Sequence, residues 1–201
     1  MSVEERYRER YQAGDSPWDI DQPDFNLIDV VTQTPIRSCK VLEIGCGTGE
    51  NAIWLAQNRF EVMGIDTSEI ALGKASEKAS QADVECQFML VDFLKNIIAG
   101  APFGFIFDRG CFHSFSAAHD RQRFAHNVAT HLEEAGLWLT IAGNADEHRH
   151  GPGPPQRTAG EIVLAVEPYF EVLSLTASHF GSNRPNPPRA WRFLLRRRPA
   201  T

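Results

Sequence analysis

An α/β protein is predicted by this sequence, with one doubly wound, mostly parallel sheet of about seven strands that ends in an antiparallel hairpin. First, short apolar runs alternate with helical patterns from residue 40 onward, which is typical of βαβ crossovers. Second, the last two apolar runs are joined by residues 179–188, which are too rich in Pro and Gly for the helical crossover that a parallel pair needs. Third, a chain of 201 residues is the usual size of a single domain.

The elements are expected in the following order. Short apolar runs predict strands at residues 41–44, 62–65, 86–91, 103–107, 137–142, 172–176 and 191–195. The patterns between them predict helices at residues 52–56, 68–79, 118–133 and 158–166. Val3, Tyr7 and Tyr11 share one face of a further helical stretch, which the turn-rich residues 14–19 follow. Because residues 1–39 fit no strand, we expect them to form a lid on a domain that comprises residues 40–201.

Composition excludes several classes of protein. The chain has 26 acidic and 20 basic side chains, so its net charge of −6 argues against a nucleic-acid partner. The four cysteines form no C-x-x-C pair, which fits free thiols in a cytoplasmic location. No apolar run approaches the roughly 20 residues of a membrane span, and the charged N-terminal residues lack a signal sequence, so no membrane partner is expected. We expect a monomer or a weak dimer.

The most informative segment is residues 41–50, where a predicted strand runs into Gly45, Gly47 and Gly49 and then into a helix. Glycine is required where the backbone takes a positive φ and where a ligand approaches it closely. Two classes of cofactor use such a loop. Residues 47–52 formally satisfy the dinucleotide pattern G-x-G-x-x-A, with Asp66 following about twenty residues later as a ribose ligand.

Charge separates the two classes of cofactor. Glu43 and Glu50 bracket the loop, and neither Lys nor Arg lies between them. At an effective dielectric constant near 20, a carboxylate about 4 Å from a phosphate costs roughly 4 kcal/mol. S-adenosyl-L-methionine has no phosphate, and its ammonium and sulfonium groups are cations. The acidic flanks therefore favour this donor over a dinucleotide.

The same residues carry a family resemblance. Residues 43–49, EIGCGTG, resemble the first motif of the class I S-adenosylmethionine-dependent methyltransferases, and residues 64–68, GIDTS, resemble the second. This resemblance covers residues 40–198 and implies a Rossmann-like fold. Residues 10–19, RYQAGDSPWD, are similar to the N-terminal segment of thiopurine methyltransferase-like and tellurite-resistance-type enzymes.

The resemblance implies a set of donor-binding residues. The backbone around the three glycines would hold the methionine moiety, and Asp66 would accept both ribose hydroxyls. Asp92 would accept from the adenine amino group, while the Phe93 backbone N–H would face a ring nitrogen. The full expected set is Trp18, Glu43, Gly45, Cys46, Gly47, Gly49, Asp66, Thr67, Asp92, Phe93 and Asp108. Two structural alternatives stay open: Asp66 as an acid at a helix start beside a Ser68 cap, and Asp92 as a turn residue.

The end of the fourth predicted strand is expected to face the methyl acceptor, because ligands bind at the carboxyl ends of strands in such sheets. Arg109 and His113 are the expected catalytic residues there, with His113 acting as a base or holding the acceptor. The alternative is that His113 only packs against or caps the next helix. Cys111 is expected to be a buried thiol.

The resemblance also implies that a long polar loop at residues 143–155 borders the acceptor, through Asn144, His148 or Arg149. Its spacing matches no standard metal site, so no metal is expected.

These observations predict methyl transfer to a small-molecule acceptor by in-line displacement, with a thiol or a soft inorganic anion as the favoured acceptor. The sheet and its helices consume most of residues 40–198, which leaves only residues 1–39 and 143–157 to build a pocket. Two alternatives remain: an NAD-type oxidoreductase and a non-catalytic module with an S-adenosylmethionine-binding fold.

Overall fold

A computed structural model describes residues 3–34, 36–149 and 153–199 of the chain. It contains one sheet in the order β3-β2-β1-β4-β5-β7-β6. The strands are β1 Lys40–Ile44, β2 Glu61–Asp66, β3 Cys86–Leu90, β4 Phe103–Arg109, β5 Leu132–Gly143, β6 Phe170–His179 and β7 Arg189–Arg197. Strands β1 to β5 pair in parallel, and β7 pairs antiparallel with both β5 and β6. The predicted fold class is therefore confirmed.

Six α-helices and one short 3₁₀ helix accompany the sheet in the described residues. They are α1 Val3–Ala13, α2 Phe25–Gln33, α3 Glu50–Gln57, α4 Glu69–Gln81, α5 Ala118–His131, α6 Ala159–Val166 and the 3₁₀ helix Phe112–Ser114. Side chains cap three of the helix starts: Asp24 for α2, Ser68 for α4 and Thr158 for α6. Each cap satisfies an amide that the helix itself leaves without a partner. The sequence patterns did not predict α2 or the 3₁₀ helix.

The sheet separates two apolar cores because successive side chains of a strand point to opposite faces. Leu42 packs in one core with residues of α5 and α6, such as Phe124 and Ile162. Val41 packs in the other core with residues of α2 and α3, such as Leu27 and Leu55. Helices on both faces explain why the central strands β1 and β4 are buried along most of their length instead of at alternate residues.

The boundary between α5 and β5 differs from the prediction. The helix ends at His131 and the strand begins at Leu132, whereas a helix to residue 133 and a strand from residue 137 were expected. The pairing of β4 with β5 shifts register between Phe103 and Phe105, and Ala135 has a positive φ of 59°. An irregularity of this kind interrupts the apolar pattern, which is why the first part of β5 does not look like a strand.

The order of the strands changes direction between β1 and β4. From β1, strands β2 and β3 follow toward one edge of the sheet, whereas β4 and β5 follow toward the other edge. In open α/β sheets this reversal opens a crevice at the carboxyl ends of the strands, where ligands bind. None of the helices within the described residues is both long and apolar enough to cross a lipid bilayer.

Candidate functional site

A cavity of about 1040 Å³ lies at the carboxyl ends of β1 to β4. Its wall combines the loop after β1, the ends of β2, β3 and β4, the N-terminal segment and the loop between β6 and β7. Most of the predicted site residues line it: Trp18, Gly45, Cys46, Gly47, Asp66, Thr67, Asp92, Phe93, Arg109 and His113. The structure therefore brings most of the predicted residues together around one cavity.

The glycine loop follows β1 and is held against β2. The backbone N–H groups of Gly45 and Cys46 donate to Ile65 O, at 2.8 and 3.0 Å. All three glycines have a positive φ, between 55° and 90°. A Cβ at Gly47 would lie 2.7 Å from the Tyr11 hydroxyl, so the loop needs glycine here for conformation and for space. The loop thus presents bare backbone to the cavity.

Asp66 ends β2 and connects two parts of the site. Its Oδ2 accepts from the Gly47 backbone N–H at 2.9 Å, and its Oδ1 accepts from the Ser68 backbone N–H at 2.9 Å. Burial raises the pKa of Asp66, and these two hydrogen bonds oppose that rise. The Ser68 bond matches the helix-start alternative. Because Asp66 also lines the cavity, the two roles are compatible.

Asp92 and Phe93 follow β3. Asp92 Oδ1 accepts from the Leu94 backbone N–H at 2.9 Å, and Oδ2 lies 2.7 Å from Lys95 Nζ. This is the geometry of the turn alternative, although Asp92 also faces the cavity. Phe93 is buried against Phe124, with ring centroids 5.1 Å apart. Its side chain is held in the core, which leaves its backbone at the cavity wall.

Three residues of the expected donor-binding set lie behind the cavity wall instead of in it: Glu43, Gly49 and Asp108. A Cβ at Gly49 would lie 2.9 Å from Ala75 Cβ, so this glycine allows α3 and α4 to pack closely. Glu43 is fully buried, with Oε1 accepting from Asn51 Nδ2 at 2.9 Å, and burial raises its pKa to about 8. These two residues shape the glycine loop from behind.

Asp108 is the third of these residues and supports the 3₁₀ helix. Its Oδ1 accepts from the backbone N–H groups of Cys111 and Phe112, at 3.2 and 2.9 Å. Its Oδ2 accepts from Trp138 Nε1 at 3.0 Å, and burial raises the pKa of Asp108 to about 6. These contacts orient the segment that carries His113.

Arg109 joins three segments that are distant in sequence. Its Nε lies 2.6 Å from Asp24 Oδ2, its Nη1 donates to Trp18 O at 3.1 Å, and its Nη2 donates to Gly181 O at 2.7 Å. Asp24 Oδ2 also accepts from the Gly181 backbone N–H at 2.9 Å. We call Asp24, Arg109 and Gly181 the Asp24 cluster. Its contacts indicate a positioning role for Arg109 in place of direct contact with an acceptor.

His113 is buried, and its protonation is defined by its partners. The Gly143 backbone N–H donates to Nδ1 at 2.6 Å, so the ring proton is on Nε2. Burial lowers the pKa of His113 to about 3, with further lowering by Arg157 and Arg6. A neutral imidazole that already accepts through Nδ1 can only donate through Nε2, and His113 lines the cavity. This geometry argues against the base role and is compatible with holding the acceptor.

Three aromatic side chains of the N-terminal segment form one wall of the cavity. Trp18 Nε1 donates to the Tyr11 hydroxyl at 2.8 Å, and the Trp18 ring lies edge-on to Tyr7 and Tyr11, at 4.9 and 5.6 Å. Ser114 Oγ donates to Gly110 O at 2.8 Å, so the Tyr7 hydroxyl, 2.7 Å away, donates to Ser114. The spacing of Tyr7 and Tyr11 predicted that they share one face of a helix, but it did not predict that this face lines the cavity.

A charged cluster fastens the N-terminal segment to the main domain. Lys78 Nζ on α4 lies 2.8 Å from Asp21 and 3.8 Å from Asp19, and it also contacts Glu50 at the start of α3. Thr48 Oγ1 of the glycine loop donates to Asp19 at 2.7 Å. No sequence pattern predicted this cluster. Lys78 and Asp21 lie 57 residues apart, and neither belongs to a recognisable motif.

The loop after β5 reaches the cavity through other residues than expected. Gly153, Pro154 and Pro155 line the wall, whereas Asn144, His148 and Arg149 do not. Asn144 is buried and accepts from the Asp146 backbone N–H at 2.7 Å, and Arg149 pairs with Glu147 at 3.0 Å. Residues 150–152 of this loop lie outside the described residues. The polar side chains stabilise the loop itself.

Comparison with known proteins gives consistent matches. A family profile described as "Methyltransferase domain" matches residues 41–136. "Probable thiol methyltransferase 2" of Arabidopsis thaliana is 25% identical over 173 residues, covering 84% of this chain and 75% of that protein.

Two solved structures share the fold over almost the whole chain. One, described as "Conversion of a Disulfide Bond into a Thioacetal Group during Echinomycin Biosynthesis", has a TM-score of 0.84 at 23% identity and covers 98% of this chain and 92% of its own. Magnesium protoporphyrin IX methyltransferase from Synechocystis PCC 6803, solved with bound S-adenosylmethionine, has a TM-score of 0.74 at 15% identity and covers 98% of both chains.

Proposed function

We propose that this chain is a class I S-adenosylmethionine-dependent methyltransferase that methylates the sulfur of a small-molecule thiol or a comparable soft anion. The observation that carries the proposal is a cavity where a bare glycine backbone, Asp66 and an aromatic wall meet beneath the N-terminal segment. The thiol methyltransferase relative from Arabidopsis supports sulfur as the acceptor atom.

The residues fit the donor in charge and shape. A Cβ at Gly47 would fill the space beside Tyr11, which leaves room for a ligand only when this position is glycine. Asp66 offers a carboxylate to the ribose hydroxyls, and Tyr7 and Trp18 supply an aromatic wall. Arg6 lies over the Tyr7 ring and Arg10 over the Trp18 ring, at 5.1 and 4.9 Å, so in this proposal the two rings contribute shape and exclude water.

In this proposal the chain acts mainly by positioning. When bound, S-adenosylmethionine supplies its sulfonium methyl group to the acceptor sulfur, so that one S–C bond forms as another breaks and S-adenosylhomocysteine leaves. The thiol loses its proton to solvent before transfer, since a free thiol with a pKa near 8.5 is partly ionised at neutral pH. Orientation within a water-poor cavity supplies roughly 7–11 kcal/mol of the barrier in well-aligned systems.

We propose that residues 1–39 act as a lid. The contacts that support this are the Asp24 cluster, the Lys78 contacts with Asp19 and Asp21, and the Tyr7 bond to Ser114. Each joins the N-terminal segment to a different element of the main domain: β4, α4 and the 3₁₀ helix. Closure by these contacts excludes water from the reacting atoms, which favours a reaction between opposite charges.

Ligand binding separates the proposal from an NAD-type oxidoreductase. S-adenosylhomocysteine at 100 times its Kd adds about 2.7 kcal/mol of stability, which raises the Tm of a domain of this size by roughly 5–10 °C. NAD and NADP should leave the Tm unchanged. A shift with NAD and none with S-adenosylhomocysteine would show that the donor assignment is wrong.

Turnover separates an enzyme from a non-catalytic module. We expect S-adenosylhomocysteine to be released with a panel of thiols, halides, selenite or tellurite, and not with RNA, DNA or protein. Donor binding without turnover on any acceptor would favour the module. Turnover on a polymer alone would contradict the small-molecule acceptor.

A further inference from the structure

Charges on the cavity wall are segregated by element. The acids Asp66 and Asp92 stand at the ends of β2 and β3, on the side assigned above to the donor. Arginines stand on the other elements: Arg6 on α1, Arg123 on α5 and Arg184 in the loop between β6 and β7. A cationic donor suits the first side. The second side requires a partner of opposite charge.

These three arginines differ from the other cations that line the cavity. Within the described ranges, Arg6, Arg123 and Arg184 form no ion pair with an acidic side chain. The remaining cavity cations are paired: Arg10 with Asp15, Lys95 with Asp92, and Arg109 with Asp24. Asp120 also lines this side, so its carboxylate offsets one of the three positive charges. The acceptor side therefore carries a surplus of positive charge.

Arg6 is the most buried of the three. Its Nη2 is buried without a hydrogen-bond partner among the described residues, and its guanidinium carbon lies 5.1 Å from the Tyr7 ring centroid. A buried donor without a partner costs about 1–3 kcal/mol, and more when it is charged. The Tyr7 hydroxyl forms a hydrogen bond with Ser114 in the 3₁₀ helix that also holds His113, and the charge of Arg6 contributes to the lowered pKa of His113. Arg6 therefore lies on the side of the cavity where the acceptor is expected.

The size of the cavity indicates an organic acceptor. Pockets that enclose one drug-sized ligand measure roughly 300–1,000 Å³, and this cavity measures about 1040 Å³. A donor together with a halide or hydrosulfide ion would leave much of that space to water. A donor together with an organic acceptor fills it.

We infer that the acceptor is an organic thiol that also carries a carboxylate, and that Arg6 and Arg123 bind this carboxylate. The inference rests on the proposed thiol methylation and specifies its substrate class. His113 Nε2–H is a further neutral donor on the same wall. Two arginines and one neutral donor match the acceptor capacity of a carboxylate, which takes several hydrogen bonds at once.

The test compares 3-mercaptobenzoate with its methyl ester, which keeps the thiol and removes the negative charge. We expect kcat/KM per thiolate to be at least about tenfold higher for the acid, as charge-assisted hydrogen bonds imply. Replacing both arginines (Arg6→Gln with Arg123→Gln) should remove this preference, so that the ratio of kcat/KM for the acid to that for the ester falls to about one. Arg8→Gln, on the exposed side of the same helix, should keep the preference.

A second measurement keeps the inference testable without turnover. The product analogue 3-(methylthio)benzoate is titrated into protein saturated with S-adenosylhomocysteine, beside its methyl ester. If the acid binds more tightly than the ester and this difference is lost in the double variant, the inference is supported. If no thiol reacts in the turnover assay, only the proposed thiol methylation is wrong. Equal binding of acid and ester, equal loss of both in the double variant, or binding of neither would overturn the carboxylate site.

Discussion

Arg109 Nε lies 2.6 Å from Asp24 Oδ2, and these two side chains are only 10% and 0% exposed. Burial raises the pKa of Asp24, but the charge and hydrogen bonds of Arg109 together with the amides of Asn26 and Gly181 bring it below its ordinary value. Asp24 is therefore ionised and paired. The ion pair closes the cavity between the N-terminal segment and the end of β4.

Removing one partner of this pair should destabilise the protein strongly. Arg109→Met leaves the Asp24 carboxylate buried without its cation, a change that typically costs about 3–5 kcal/mol. Urea unfolding at pH 7 measures the loss. Arg192→Met is the matched control, because Arg192 pairs with Asp29 at 3.5 Å with 21% and 43% exposure, where a loss below about 1 kcal/mol is expected. Equal losses in both variants would contradict the role of the Asp24 cluster.

Asp66→Ala should weaken binding of S-adenosylhomocysteine by about tenfold or more, since charge-assisted hydrogen bonds contribute roughly 1.5–3 kcal/mol. Calorimetry on the folded variant measures the affinity. Glu69→Ala removes a neighbouring acid that is exposed at the start of α4 and does not line the cavity, so its affinity should equal the wild type. Unchanged affinity in Asp66→Ala would remove the ribose assignment.

Gly47→Val should abolish donor binding, because even its Cβ would lie 2.7 Å from the Tyr11 hydroxyl at a backbone φ of 55°. Gly73→Ala is the control: it lies in α4, where an added Cβ would meet nothing within 4 Å, and it should stabilise the helix by up to about 1 kcal/mol. Thermal shift with and without S-adenosylhomocysteine measures both effects. Normal donor binding in a folded Gly47→Val would mean that the loop is only a tight turn.

The pH dependence of stability should report the buried neutral state of His113. Its folded pKa is about 3 and its unfolded pKa is near 6.5, so the unfolded chain binds an extra proton between these values. The contribution of His113 to stability should therefore fall as the pH drops below about 6.5, by up to about 1.4 kcal/mol per pH unit. Asp108 and Glu43, whose raised pKa values act in the opposite direction, are present in both proteins, so the comparison with a His113 variant isolates this contribution. Unfolding of wild type and His113→Gln from pH 4 to 7 measures the difference. Identical slopes would show that His113 is not buried in neutral form.

Hydrogen exchange should show the N-terminal segment closing over the donor. S-adenosylhomocysteine is expected to slow amide exchange in α1 and residues 14–24, since bound ligand adds contacts to Tyr11 and Trp18. Lys78→Met removes the cation that contacts Asp19, Asp21 and Glu50, and exchange there should become faster. Exchange in β5 and β7 serves as the internal control. Protection that is independent of ligand would indicate that Trp18 is core packing alone.

The sequence predicted the sheet well because parallel strands buried on both faces read as apolar runs, as in residues 103–107 and 137–142. It predicted the glycine loop and Asp66 because both follow strands directly. It missed α2, whose start depends on the capping contact of Asp24 with the Asn26 backbone N–H. This capping contact is local. The apolar side chains of α2, however, can be recognised as core residues only once the core that contains Val41 and Leu55 is known.

Arg109 and His113 show why residue roles were harder to predict than residue positions. Both were expected at the end of β4, and both line the cavity. Their chemistry depends on partners that are distant in the chain: Asp24 lies 85 residues from Arg109, and Gly143 lies 30 residues from His113. No local sequence pattern indicates these partners. The sequence therefore could not show that the Gly143 amide donates to Nδ1 of His113, which argues against a base role for this residue.

The bond between the Gly181 backbone N–H and Asp24 spans 157 residues, and the one between Ser178 and Asn26 spans 152. Closing so long a stretch of chain carries a high entropic cost and needs the intervening strands in place. During synthesis, the N-terminal segment emerges before these partners and can contact them only after the β6–β7 hairpin has left the ribosome. A chain interrupted before residue 181 would therefore hold most of the donor-binding residues and still lack a finished acceptor chamber.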